Sequence, residues 1–174
     1  HAAIEDRPDE IDIGEYFVSL INRDFTGADR EQRRRVKQFI GSKFGDIDLN
    51  YEHIDTSDNL IIDLRCCNAD SFHFESAEVT NPVDLRGSNI TRVNATGSSW
   101  HQLYAQELTS NLVEFDQATL KRAYFQDTEI QEAQFYWTEI DYVNYHRCNI
   151  EWGNFMYVQL GEAGFFNSDF RVAT

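Results

Sequence analysis

The sequence predicts a mainly β solenoid with an N-terminal α-helical cap, and three observations carry that reading. A large apolar residue recurs at every fifth position from Phe115 to Phe170, a small or short residue recurs two places before each, and the first 46 residues are different in kind. A period of five matches neither the turn of an α-helix nor the alternation of a strand. An internal repeat therefore sets the architecture before any single residue does. The expected division is residues 1–46 as cap and 47–174 as repeat.

The first segment carries two helical signals. Ile11, Ile13, Tyr16, Phe17, Leu20 and Ile21 give a partly helical apolar pattern between Asp9 and Phe25. A second candidate helix runs from Arg30 to Lys43, with Val36, Phe39, Ile40 and Phe44 as one apolar stripe and Arg33, Arg34, Arg35, Lys37 and Lys43 mostly turned away. Thr26 or Asp29 suits its N-terminal cap and Gly45 its stop. A solenoid exposes apolar interior at its ends, so these helices are read as a cover for the first coil.

The repeat itself is clearest in the second half. Its centres read Phe115, Leu120, Phe125, Ile130, Phe135, Ile140, Tyr145, Ile150, Phe155, Leu160, Phe165 and Phe170, and its companions run from Val113 through Ala118, Ala123 and Thr128 to Ser168. Upstream, Leu85, Ile90, Ala95 and Trp100 keep the register. Ala105 and Ser110 are poor centres with bulky Leu103 and Leu108 in the companion slots, and a bulge or loop is expected there. Before Pro82 the period persists one residue out of step, through Leu64, Ala69, Phe74 and Val79. One inserted residue near Asn81 and Pro82 accounts for the offset, since proline cannot donate to a ladder and suits a bulge or corner. Leu49 and Ile54 extend the offset register backward, so the solenoid is expected to begin between Ile47 and Ile62.

The segments Ala118-Thr119-Leu120-Lys121-Arg122 and Ala133-Gln134-Phe135-Tyr136-Trp137 resemble the Ala-(Asp/Asn)-Leu-X-X unit of the pentapeptide-repeat family. The resemblance covers most of the chain. It implies a right-handed quadrilateral β-helix with four pentapeptides to a coil, centre and companion both pointing inward. The family includes quinolone-resistance proteins that mimic DNA and bind type II topoisomerases such as DNA gyrase. This chain departs from some of those members in having neither a pair of long inserted loops nor a C-terminal dimerisation helix.

Composition narrows the function classes. The net charge is −15, which argues against direct nucleic-acid binding because phosphate contacts rest on Lys and Arg. There is no apolar run of the ~20 residues a membrane helix requires, and no leader pattern. Cys66, Cys67 and Cys148 are an odd number of thiols. Cys67 and Cys148 would share an interior column four coils, about 19 Å, apart, far beyond disulfide reach. Free thiols favour a reducing compartment, and a cytoplasmic location is expected.

Residues twenty apart occupy matching slots on successive coils, about 4.8 Å apart, and behave as cross-strand pairs. Asp127 is expected beside Arg147 and Lys121 beside Asp141. One face is acidic, with Glu129, Glu132, Glu151 and Asp169 flanking the column of Ile130, Ile150 and Phe170. Another is aromatic, with Trp137 expected against Tyr157 and Tyr136 against Met156. Large rigid side chains of this kind are interface material. Both faces are read as protein-binding, for a partner the sequence does not identify, and a homodimer through an uncapped C-terminal end is a further expectation.

No catalytic, cofactor or metal constellation emerges. His53, His73, His101 and His146 are scattered without zinc-like spacing to cysteine, and no glycine loop cradles a phosphate. Cys148 is an inward companion while His146 points outward, which separates nucleophile from base. The expected function is thus a non-enzymatic interaction or structural scaffold, with a DNA-mimicking topoisomerase regulator as the alternative. If the inward assignment is right, Phe135→Ala costs about 3–5 kcal/mol in denaturant unfolding; an unchanged midpoint overturns the coil geometry.

Overall fold

The computed structural model describes residues 41, 43–51, 53–54 and 61–171. The expected cap, up to residue 40, lies outside them. Among the described residues there is no helix, and the chain is a β-solenoid of stacked parallel strands. Seven strands form one sheet, in the order Lys43–Asp48, Asn68–His73, Asn89–Asn94, Thr109–Glu114, Glu129–Gln134, Asn149–Asn154 and Asp169–Phe170. A ten-stranded sheet completes the wall. In it the long strand Glu139–His146 runs through a corner, pairing with Thr119–Leu120 by its first half and with Ala123–Gln126 by its second.

Phe44 and Gly45, expected on the second helix and at its stop, lie instead in the first strand. The reason is register. Phe44 stands five residues before Leu49, and its ring meets Phe72 at 5.9 Å.

The spacing between matched residues records every insertion. His53 pairs with Glu78, 25 residues on, while Ile62 pairs with Val83, 21 on, and Val83 with Leu103, 20 on. The last step places one extra residue between Val79 and Val83, at Asn81–Pro82 as expected, because Val79 still pairs 21 residues on, with Trp100. From Val83 onward the repeat is 20 throughout.

The expected bulge around Leu103 and Leu108 is not there. Leu103–Tyr104 is a ladder strand in register with both neighbours, and Leu103, Ala105, Leu108 and Ser110 are all buried. The two inward slots of one pentapeptide lie side by side, so a large companion with a small centre fills them as well as the reverse. Interiors tolerate such volume-conserving exchange.

The core is a set of columns rather than a globule. Phe115, Phe135 and Phe155 stack at 5.5 and 5.2 Å, and Phe125, Tyr145 and Phe165 at 5.2 and 5.3 Å. Adjacent columns meet edge to face, as for Phe125 and Phe135 at 6.2 Å, the favoured complement of the offset stack. Polar companions close the corners. The hydroxyls of Ser88, Thr138 and Ser168 donate to the carbonyls of Leu64, Phe115 and Tyr145 at 2.8, 2.7 and 3.0 Å, and the Cys148 thiol donates likewise to Phe125. Each reaches the centre residue of the coil before, so buried hydroxyls and carbonyls satisfy one another.

The corners carry a second period. From Glu107 to Asn167 every tenth residue has φ between 51° and 59°, and Gly87 and Gly97 continue the series upstream. That left-handed conformation costs a residue with a side chain about 1–2 kcal/mol. At the last described coil, slots that are closed upstream open, leaving Leu160 44% and Phe165 50% exposed.

One interior atom stands out. The Tyr145 hydroxyl is buried without a hydrogen-bond partner, and its burial pushes the phenol well above its ordinary range. Removing it deletes an unsatisfied group while keeping the ring stack, so Tyr145→Phe is expected to stabilise the fold by about 1 kcal/mol, read from the denaturation midpoint. A clear loss of stability would mean that the hydroxyl has a partner.

Candidate functional site: an aromatic face and charged corners

The aromatic face is built by two successive coils. Trp137 and Tyr157 both take the left-handed turn position, with φ of 58° and 59°, which swings their rings outward. Their centroids lie 5.4 Å apart at a 46° tilt rather than in a parallel stack. Tyr136, expected beside Met156, turns an edge to Tyr157 at 5.8 Å. The Tyr136 backbone is tied down by Asp116, whose carboxylate accepts its N–H at 2.7 Å. Trp137 and Tyr157 are 55% and 61% exposed, and Tyr136 and Met156 are also open to solvent. The four residues thus form one continuous outward surface on a rigid ladder.

The acidic face is more dispersed than its composition suggests. Glu129 lies in register with Thr109 and Asn149, and Glu132 with Leu112 and Trp152. Asp169 is matched to Asn149 and held by Arg171 at 3.0 Å. No two of these acids are rung neighbours: Glu129, Glu132 and Asp169 alternate with neutral side chains, and Glu151 stands twenty residues from Gln131 and Arg171. Such spacing limits mutual repulsion.

Of the two expected charge pairs, one closes. Arg147 grips Asp127 with Nε and Nη2, the latter at 2.6 Å. Lys121 and Asp141 line a common groove without an ion pair. Cys67 and Cys148 are buried and Cys66 is exposed, with no disulfide among them; burial raises the Cys148 pKa, which suppresses the thiolate that nucleophilic chemistry needs.

Three arrangements escape a reading by period alone. Asp63 and Asp84 are matched neighbours with side chains only 9% and 3% exposed. Arg65 and Arg86, each two residues on, clasp them in bidentate pairs at 2.6–2.8 Å. Arg86 then lies over the Tyr104 ring at 5.7 Å, and Tyr104 stacks on Tyr124 at 5.4 Å. The repeated triplet Asp-Leu-Arg at 63–65 and 84–86 is the signal that could have found this ladder.

The third arrangement sits at another corner, where Ser71 Oγ is 2.9 Å from His73 Nε2 and also meets Asp46. The order is wrong for nucleophile activation. The single hydroxyl proton goes to the Asp46 carboxylate, so Ser71 accepts from His73 Nε2–H, and the imidazole nitrogen facing it is already protonated. Among the described residues no group of three His, Cys, Asp or Glu side chains is placed to hold a metal, and no helix is long and apolar enough to cross a membrane. No protein-family model, curated protein or solved structure matches the chain.

The corner pair has a pH signature. Arg147, and secondarily Gln126, hold the Asp127 carboxyl at about 2 against an ordinary 3.8. A carboxyl depressed on folding contributes stability that is complete above its unfolded value and is lost as pH falls toward the folded one. Asp127→Asn should therefore be destabilising at neutral pH and neutral relative to wild type near pH 2. Carbon-detected NMR titration of the Asp127 carboxyl checks the cause; a midpoint near 3.8 means that the pair does not form in solution.

Proposed function

We propose that the chain is a pentapeptide-repeat protein, folded as a right-handed four-sided β-helix, that acts without catalysis as a protein-interaction scaffold. The observation that carries the scaffold reading is the placement of Trp137 and Tyr157. Their column opens with Tyr51 and runs through Ser76, Gly97 and Gln117 in the same left-handed turn, so an aromatic returns on two successive rungs to a slot that serine, glycine and glutamine fill in between. Bulky aromatics are the least suited to that conformation, and backbone cost retained at a surface is a pointer to use. Exposed, rigid and mutually supported rings are hot-spot chemistry. The aromatic face is the principal docking surface in this reading, and a second copy of the chain meeting Leu160 and Phe165, which are exposed on the last described coil, is the homotypic contact it allows.

A specific observation favours a second reading, in which the rod imitates DNA toward a type II topoisomerase. Between Val113 and Phe170 ten acidic residues oppose three basic ones, a net −7. That stretch spans about three rungs, roughly 14 Å, so the axial density is one charge per ~2 Å, close to the ~1.7 Å of duplex DNA. Against it stands the alternation of acids with neutral residues on the Glu129 face.

The two readings separate by salt and by mutation. In pull-downs from source-cell lysate, the scaffold reading expects a partner that is lost with Trp137→Ala/Tyr157→Ala and held in moderate salt. A topoisomerase lost with Glu129→Lys/Glu132→Lys/Glu151→Lys and released steeply by salt would replace it with the mimic. No specific partner on any bait overturns both.

A further inference from the structure

A groove of about 430 Å³ opens at the corner between the Leu120 and Phe125 sides, away from both faces described above. Its charges are ordered along the solenoid axis. His101, Lys121 and Arg122 line its upstream rungs, and Asp141 and Glu162 its downstream ones. Tyr124 and Tyr142, 5.6 Å apart, complete the lining.

Two details mark this groove off from ordinary surface. Among the described residues Arg65, Arg86, Arg92, Arg147 and Arg171 are all ion-paired within the chain; Lys43, Lys121 and Arg122 are not, and of these Lys121 and Arg122 stay unpaired although carboxylates share their groove. The acidic end is also held open. A Cβ on Gly161 would come within 2.4 Å of the Asp141 carbonyl oxygen, so the slot below Asp141 in the Lys121 column takes no side chain.

We propose that this groove binds an extended, net-neutral segment of a partner protein in which an acidic and a basic side chain stand two residues apart. Adjacent rungs are ~4.8 Å apart, so the Lys121 and Arg122 rung lies about 5–10 Å from the carboxylates one and two rungs on. Side chains at i and i+2 of an extended peptide emerge on one face about 6.6 Å apart, within that span. Charge selects the same ligand. A phosphate-bearing ligand meets Asp141, Glu162 and the field of a chain with net charge −15; a purely basic segment meets Lys121 and Arg122; a segment carrying one charge of each sign satisfies both ends. The inference rests on the scaffold reading and assigns it a second, sequence-selective contact.

The test is NMR titration of the full ¹⁵N-labelled chain with three blocked pentapeptides, Gly-Asp-Ala-Lys-Gly and its Asp-Ala-Asp and Lys-Ala-Lys counterparts. The mixed peptide should shift the amides of 121–124, 141–142 and 162 and bind about tenfold tighter than either counterpart. Lys121→Glu/Arg122→Glu should transfer the preference to Lys-Ala-Lys, and Asp141→Lys/Glu162→Lys to Asp-Ala-Asp, with circular dichroism confirming that both variants fold. Equal binding of all three, no shifts at these amides, or preferences unmoved by the variants overturns the proposal. A chain that captures a partner through Trp137 yet ignores every peptide sinks the groove alone; one that captures nothing and ignores every peptide sinks the scaffold reading with it.

Discussion

Everything in this molecule depends on one constraint: from Val83 onward the chain returns to the same place after 20 residues, so each side chain lies on its own counterpart one ladder spacing away. Inside, that turns packing into a problem of columns. A ring at Phe115 is met by a ring at Phe135, and where the same column carries Ala95 between Phe74 and Phe115, Trp100 of the next column packs against both rings, at 4.8 and 6.1 Å. The stacks of Phe115, Phe135 and Phe155 and of Phe125, Tyr145 and Phe165 are the outcome. Backbone hydrogen bonds and ring contacts then act along the same axis, so neither can slip without the other.

Insertions show how firmly that axis is held. Between Ile54 and Ile62 the chain takes eight steps where Trp100 to Leu103 takes three, and between Val79 and Val83 it takes four, yet the strands on either side remain parallel and matched. At the second insertion Asn81 is itself buried, and Pro82 sits where a missing N–H costs no ladder bond. The stretch from Leu103 to Ser110 makes the same point from the interior. Within one pentapeptide either the centre or the companion can carry the bulk, as Leu103 with Ala105 and Leu108 with Ser110 do in reverse of Ala123 with Phe125.

The fold was legible in the sequence because the period is a property of inward residues, which answer only to their column. Phe44 was misread as helical because its neighbours Phe39 and Ile40 also space it as a helix face, and only the strand contact with Phe72 decides between the two periods. Outward residues were legible in position but not in contact. The column rule placed Asp127 beside Arg147 and Lys121 beside Asp141 equally; the first pair closed and the second did not, because a bidentate guanidinium fixes its partner while a flexible ammonium at a groove edge need not. The clasp of Asp63 by Arg65 runs along the chain within one turn, a direction in which counting by twenty cannot look.

Charge pairing inside the chain decides what the outside can offer. Five of the described arginines are held by carboxylates of the same chain, at Asp63, Asp84, Glu114, Asp127 and Asp169. Each such pair is locally neutral and contributes little field at a distance. The long-range potential is therefore set by the unpaired acids, and in the scaffold reading proposed above selectivity at contact belongs to the few places where the pattern breaks. One is the pair of aromatics in turns that favour glycine; the other is the corner where Lys121 and Arg122 face a gap beside Gly161. In that reading a repeat that makes every outward slot equivalent leaves recognition to its exceptions; Trp137, Lys121 and Arg122 stand on coils whose inward slots are closed, whereas Tyr157 and Glu162 stand on the last described coil, where Leu160 and Phe165 open to solvent.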